Sequence, residues 1–177
     1  MRQLLIALSL SFLCIAVCAQ TSSPKVLSMK DRAVVINRLL VDKVVNYLPE
    51  IMEREGIDMW VVISREYNED PVIKTLLPAE WLAARRRTIL LFFNKPDGSG
   101  IETLAVARYD VGATFKSAWN KEEQPDQWKR LAELISERNP KKIGINKSKY
   151  FGITDGIVAT DLEEFTAALD KKDKAKI

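Results

Sequence analysis

Residues 58–71 read Asp-Met-Trp-Val-Val-Ile-Ser-Arg-Glu-Tyr-Asn-Glu-Asp-Pro, and this stretch decides the fold. Met59 to Ile63 are apolar at five successive positions and rich in β-branched and aromatic side chains. Such a run predicts a strand buried on both faces. The chain then turns polar from Ser64 to Asp70, so the polar segment falls at the strand's carboxyl end, where open α/β sheets place ligand sites. Asp70-Pro71 supplies an N-cap and a first helical residue, which predicts a helix leaving that corner.

Working outward, Ile36, Leu40, Val44, Leu48 and Ile51 recur every three or four residues from Asp31 onward, with Val41, Val45 and Met52 beside them. The pattern predicts an amphipathic helix, kinked or split at Pro49 and capped by Gly56. Beyond the central stretch, 71–76 should form a short helix. Pro78 should open another, through Trp81, Leu82 and Ala84 to Arg85-Arg86-Arg87, where cations complement the negative helix end. Residues 88–93 and 101–111 read as strands, joined by the turn 94–100 into an antiparallel hairpin. Residues 112–124 read as irregular, with Phe115 and Trp119 packing back. Pro125 should open a helix through Trp128, Leu131, Leu134 and Ile135 that ends at Asn139-Pro140. A short strand at 143–145 and a loop at 150–159 follow. Thr160 and Glu163 then read as a capping box before Leu162, Phe165 and Leu169, and the charged tail 171–177 should fray. Alternating strands and helices, interrupted by one hairpin, predict an α/β layered fold with a mixed sheet and helices on both faces.

The amino terminus has a different character. Met1-Arg2-Gln3 precedes an apolar stretch from Leu4 to Val17, and Val17-Cys18-Ala19 offers small residues for signal peptidase cleavage after Ala19. Two other readings exist: a lipoprotein cysteine at Cys18, against which the bulk of Val17 counts, and an uncleaved anchor, for which the stretch is short. Cleavage predicts an exported protein, periplasmic or extracellular, of 158 residues numbered 20–177. A flexible lead over 20–30 would precede one domain over 31–170. Cys14 and Cys18 would leave with the signal, so the mature chain would depend on packing alone. Its net charge would fall from +3 to +2, too near neutral to argue for nucleic acid or an anionic membrane as partner.

The stretches 48–52 (LPEIM), 56–62 (GIDMWVV), 64–71 (SREYNEDP) and 84–90 (ARRRTIL) occur in an order and spacing similar to a known family. Together they resemble the N-terminal domain of secreted bacterial Xaa-Pro aminopeptidase-like metallopeptidases, the creatinase/prolidase superfamily, over about residues 28–169. The resemblance implies a three-layer α/β domain of the ribonuclease-H-like type that does not itself perform the chemistry. In that family a C-terminal pita-bread domain binds two divalent metal ions through two aspartates, a histidine and two glutamates. The sequence contains no histidine, and it stops at Ile177, where relatives would still be finishing the first domain. The expectation is therefore a truncated chain with no cofactor of its own, inactive alone. It would shape substrate access and subunit contacts for a catalytic domain outside these residues, with a homo-oligomer or that domain as partner. The alternative is a freestanding periplasmic binding or assembly module.

Other chemistries find little support. A serine nucleophile would lack a histidine base, and no glycine-rich phosphate loop is present. By analogy with the family, Arg65, Tyr67, Asn68 and Glu69 would line a peptide-binding rim with Trp81 as its apolar wall. Arginine suits a carboxylate through paired hydrogen bonds, and tyrosine combines an apolar body with a polar tip. The plainer alternative makes Asn68 and Asp70 helix caps and Arg65 and Glu66 solvated charges. The run Arg85–Arg87 could hold an anion or face a catalytic domain, although a helix-end role is the simpler expectation. A ribonuclease-like set of Asp58, Glu66 and Asp110 is disfavoured, because Asp58 and Glu66 fall at opposite ends of one strand.

Overall fold

The computed structural model describes residues 26–177, so the expected signal segment, its cleavage site and residues 20–25 of the expected lead lie outside the described residues. The chain divides into two compact units at Asp31/Arg32. In the first, Ser28 Oγ accepts a hydrogen bond from the Asp31 backbone at 3.2 Å. A helix, α1, covers Met29–Asp42, so the expected flexible lead is already helical at residues 29–30.

In the second unit, a π-helical turn at Lys43–Tyr47 follows α1 and leads into α2, Leu48–Arg54. Pro49 falls in the first turn of α2, where its missing N–H costs nothing. Leu40, Val44, Leu48 and Met52 form the buried stripe of these turns, whereas Ile36, Val41, Val45 and Ile51 remain exposed. The inward face is thus narrower than the sequence pattern suggested. The helix closes as a Schellman motif: Gly56, at φ +63°, donates to the Glu53 carbonyl, and Ile57 donates to that of Met52.

Five strands form one mixed sheet: β1 Met59–Arg65, β2 Arg87–Asn94, β3 Ile101–Ala105, β4 Lys116–Ser117 and β5 Ile143–Ile145. Their spatial order is β4-β3-β2-β1-β5. β1 runs antiparallel to β2 and parallel to β5, β2 runs antiparallel to β3, and β3 runs parallel to β4. The two central strands are apolar from Met59 to Ile63 and from Ile89 to Phe93, where both faces are covered. Met59, Val61, Ile63, Ile89 and Leu91 enter one core with Leu131, Leu134 and Ile135 of α4, Gln127–Arg138, and Phe165 of α5, Ala159–Ala168. Val62, Leu90 and Phe92 enter the other with the α1–α2 stripe and with Ile73 and Leu76 of α3, Pro71–Leu76. The alternation along each strand assigns neighbouring side chains to opposite layers. The architecture is α/β, a mixed sheet with helices on both faces.

Four local expectations are corrected. Residues 78–86 are turns and bends rather than a helix. Their backbone N–H groups are taken by side chains: Ala79 donates to Asn37, Ala84 to Glu69, Arg85 to Thr88 and Arg86 to Glu66. The expected strand 101–111 ends at Ala105, and the chain then bends. Gly112 lies at φ +61° beneath Pro78, whose Cγ would be 2.8 Å from any added Cβ. Thr160 is no cap, because α5 begins one residue earlier behind Val158. The tail does not fray. Asp170 caps a last short helix, α6, Lys171–Lys174, and the Lys176 carbonyl accepts from Ile143 of β5 at 2.8 Å. Among the described residues, no helix is long and apolar enough to cross a membrane.

Candidate functional site

Arg65 ends β1 and stands opposite Arg87, the first residue of β2. Two like charges at a paired position require a counter-charge. It comes from Asp161 in the first turn of α5, where a carboxylate also complements the positive helix end. Arg65 donates through Nε to both Asp161 oxygens, at 3.1 and 3.0 Å, and through NH2 at 2.7 Å. Arg87 donates through Nε at 3.1 Å to Asp161 and through NH2 at 3.0 Å to Glu164. The Arg87 guanidinium also lies 4.2 Å from the ring centre of Trp128, whose indole N–H donates to Glu164 at 2.7 Å. Asp161 is fully buried, and its hydrogen bonds and charge hold the Arg65 guanidinium above its ordinary pKa. This cluster fastens the centre of the sheet to the helices of one layer.

The turn after β1 is anchored just as firmly. Asn68 donates its backbone N–H to the Arg65 carbonyl, and Tyr67 between them adopts φ +68°. Glu69 accepts from the backbone of Tyr67 and, at 2.9 Å, of Ala84. Asp70 caps α3 by accepting from Ile73 at 2.7 Å. Its other oxygen accepts from Asn146, whose side chain also pairs with the backbone of Ile63 in both directions and so continues the β5 register. Gly156 closes over this network: a Cβ there would fall 1.7 Å from Asp70 Oδ2.

The expected rim is therefore divided. Arg65 turns to Asp161 and Glu69 to the backbone, while Tyr67 (91% exposed) and Asn68 project into solvent. Trp81 is half-buried, packed at 5.7 Å on Tyr109 and covered by the Arg85 guanidinium at 4.8 Å. The carboxylates Asp58, Glu66 and Asp110 do not meet. Asp58 accepts from the Lys141 and Lys142 backbone, Glu66 from Arg86, and Asp110 from Lys116 and Ser117. Among the described residues, no group of three or more potential ligands could hold a metal ion.

The residues that sequence reasoning missed are Asp161, Asn146 and Gly156. For Asp161 a signal existed: it shares one helical face with Phe165 and Leu169, and an acid on an apolar stripe calls for a buried cation. The two central strands also open onto a cleft of about 420 Å³ that collects Arg65, Arg85, Arg86, Arg87, Arg108 and Lys121. No protein family, curated protein or solved structure gives a match to this chain.

Proposed function

We propose that this chain is the non-catalytic N-terminal domain of a secreted Xaa-Pro aminopeptidase-like metallopeptidase of the creatinase/prolidase superfamily. It would shape substrate access and subunit contacts for a catalytic domain supplied from beyond these residues. The observation that carries the reading is what the carboxylates of the β1 corner do. Glu66, Glu69, Asp70 and Asp161 each hold a backbone N–H or an arginine, so the motif segments 64–71 and 84–90 are spent on positioning a corner rather than on reacting groups. The α/β class with a mixed sheet supports this reading at the level of fold class. Tyr67 and Asn68, exposed at that corner, are the side chains left to meet a substrate or a facing domain.

Reading the transcript beyond the codon for Ile177 tests this directly. In-frame sequence carrying a histidine among aspartates and glutamates is expected, and unrelated sequence in every frame would overturn the proposal. Purified residues 20–177 should not cleave Xaa-Pro peptides with manganese or zinc. Turnover abolished by a chelator would equally refute it.

A further inference from the structure

The cleft of about 420 Å³ beside the β1 corner is lined by six cationic side chains and by no carboxylate. Arg65 and Arg87 are neutralised from behind by Asp161 and Glu164. Arg85, Arg86, Arg108 and Lys121 form no ion pair among the described residues, and all four are exposed. Helix-dipole complementation does not account for Arg85 and Arg86, because the segment before them is not helical. Instead, both are held in place by other means. Arg85 lies 4.8 Å from the Trp81 ring centre and 6.0 Å from that of Tyr109. Arg86 adopts φ +49°, unusual for a side-chain-bearing residue, with its N–H bound by Glu66 and its carbonyl by the Glu66 backbone.

The adjoining cleft, of about 590 Å³, provides a contrast. It shares Arg108, Trp119 and Lys121 with the first but adds Glu122, Glu123 and Glu133, and its Arg130 pairs with Glu133 and Glu137. Only the first cleft concentrates positive charge. A concave site holding four unneutralised cations raises the local concentration of anions. Guanidinium groups recognise tetrahedral and planar oxyanions through paired hydrogen bonds.

We propose that this cleft binds a compact polyphosphate-type anion, a di- or triphosphate group whose charge matches the four unpaired cations, with Tyr109 and Trp119 in the lining beside whatever the group is attached to. The chain as a whole is near neutral, +3, which does not favour long nucleic acids. The site is independent of the peptidase-domain reading and would stand if that reading fell.

Calorimetric titration with inorganic pyrophosphate and tripolyphosphate at low ionic strength tests it. Saturable binding at one site per chain is expected, weakening as salt is added. Arg86→Gln and Arg108→Gln should each weaken binding about tenfold, as loss of a charge-assisted hydrogen bond does. Circular dichroism should confirm that both variants keep the wild-type fold. Arg54→Gln, at an exposed pair with Glu55 outside the cleft, should leave affinity unchanged. No saturable binding of either phosphate, or equal affinity in the Arg86→Gln/Arg108→Gln double variant, would overturn the proposal. Citrate binding as tightly as pyrophosphate would refute the assignment to phosphate.

Discussion

The strand-borne and loop-borne arginines around the β1 corner share a chemistry and a neighbourhood, yet they do different work. Arg65 and Arg87 are half-buried, and each donates to the buried carboxylate of Asp161. Arg85, Arg86 and Arg108 are exposed on irregular segments, and their side chains meet aromatic faces or solvent. The first pair is part of the fold's fastening. The second group costs the fold some like-charge repulsion and contributes little to its packing. The role of an arginine therefore follows from its partner and its burial, not from its place in a run such as Arg85-Arg86-Arg87.

The largest effect should come from removing the shared partner. Asp161→Ala takes from Arg65 its carboxylate partner and leaves Arg87 with only Glu164 and Gln127, the two arginine side chains being 42% and 22% exposed. Breaking a buried pair from one side costs about 3 kcal/mol, with the partial exposure of the arginines keeping it from being larger. Urea denaturation measures it. A loss below about 1 kcal/mol would mean that Arg65 and Arg87 are as loosely held as the loop arginines, and the contrast would collapse.

A second break acts on the uncharged side of the same corner. Gly156→Ala places a methyl 1.7 Å from Asp70 Oδ2 and 2.5 Å from Asp70 Cβ, so the aspartate must abandon its cap on α3 and its bond from Asn146. The expected cost is about 2 kcal/mol, one cap and one buried hydrogen bond. In an Asp70→Gly background the same substitution should cost much less, since every clashing side-chain atom, Cβ included, is gone. Simple additivity in that double-mutant cycle would contradict the mechanism.

These features also mark where the sequence was legible. The runs 59–63 and 88–93 announced central strands, because burial on both faces leaves a continuous apolar signature. Asp70-Pro71 announced its helix, because capping is local. The segment 78–86 was misread for the opposite reason. Asn37, Glu66 and Glu69 take its N–H groups from 42, 20 and 15 residues away, and no local pattern encodes that competition. The Arg65–Asp161 bond spans 96 positions and was equally hidden. Because the expected helix was wrong, so was the simplest explanation of the arginine run. Of the expected rim, Tyr67 and Asn68 lie exposed in the turn after β1, whereas Arg65 and Glu69 bond within the fold.

A third test uses pH on a paired arginine elsewhere. Arg138 donates to both oxygens of Glu102 on β3 and, chiefly through those hydrogen bonds, holds the Glu102 carboxyl below its ordinary value. A depressed folded-state pKa contributes stability that is present above the unfolded value, near 4.5, and lost as pH falls through the folded one. Wild type should therefore lose about 1 kcal/mol more than Glu102→Gln on acidification from pH 6 to pH 3. Parallel pH profiles for the two proteins would remove this pair from the class of fastening arginines.

The smallest effect is the most discriminating. Arg86→Gln removes a charge that stands among Arg85, Arg87 and Arg108 in one cleft and has no carboxylate partner. Two unit charges about 7 Å apart repel by roughly 2 kcal/mol at the effective dielectric near a protein surface, and by about 0.6 kcal/mol where water dominates, as it does for exposed side chains. The variant should then unfold within about 0.5 kcal/mol of wild type, on the stable side at low ionic strength. Salt offers the sharper reading. Raising ionic strength screens the repulsion in wild type and has less to screen in the variant, so salt should stabilise wild type more. An Arg86→Gln protein that is clearly less stable than wild type at every salt concentration would show that Arg86 is held by the fold after all. The line between strand-borne and loop-borne cations would then have to be redrawn at Arg85.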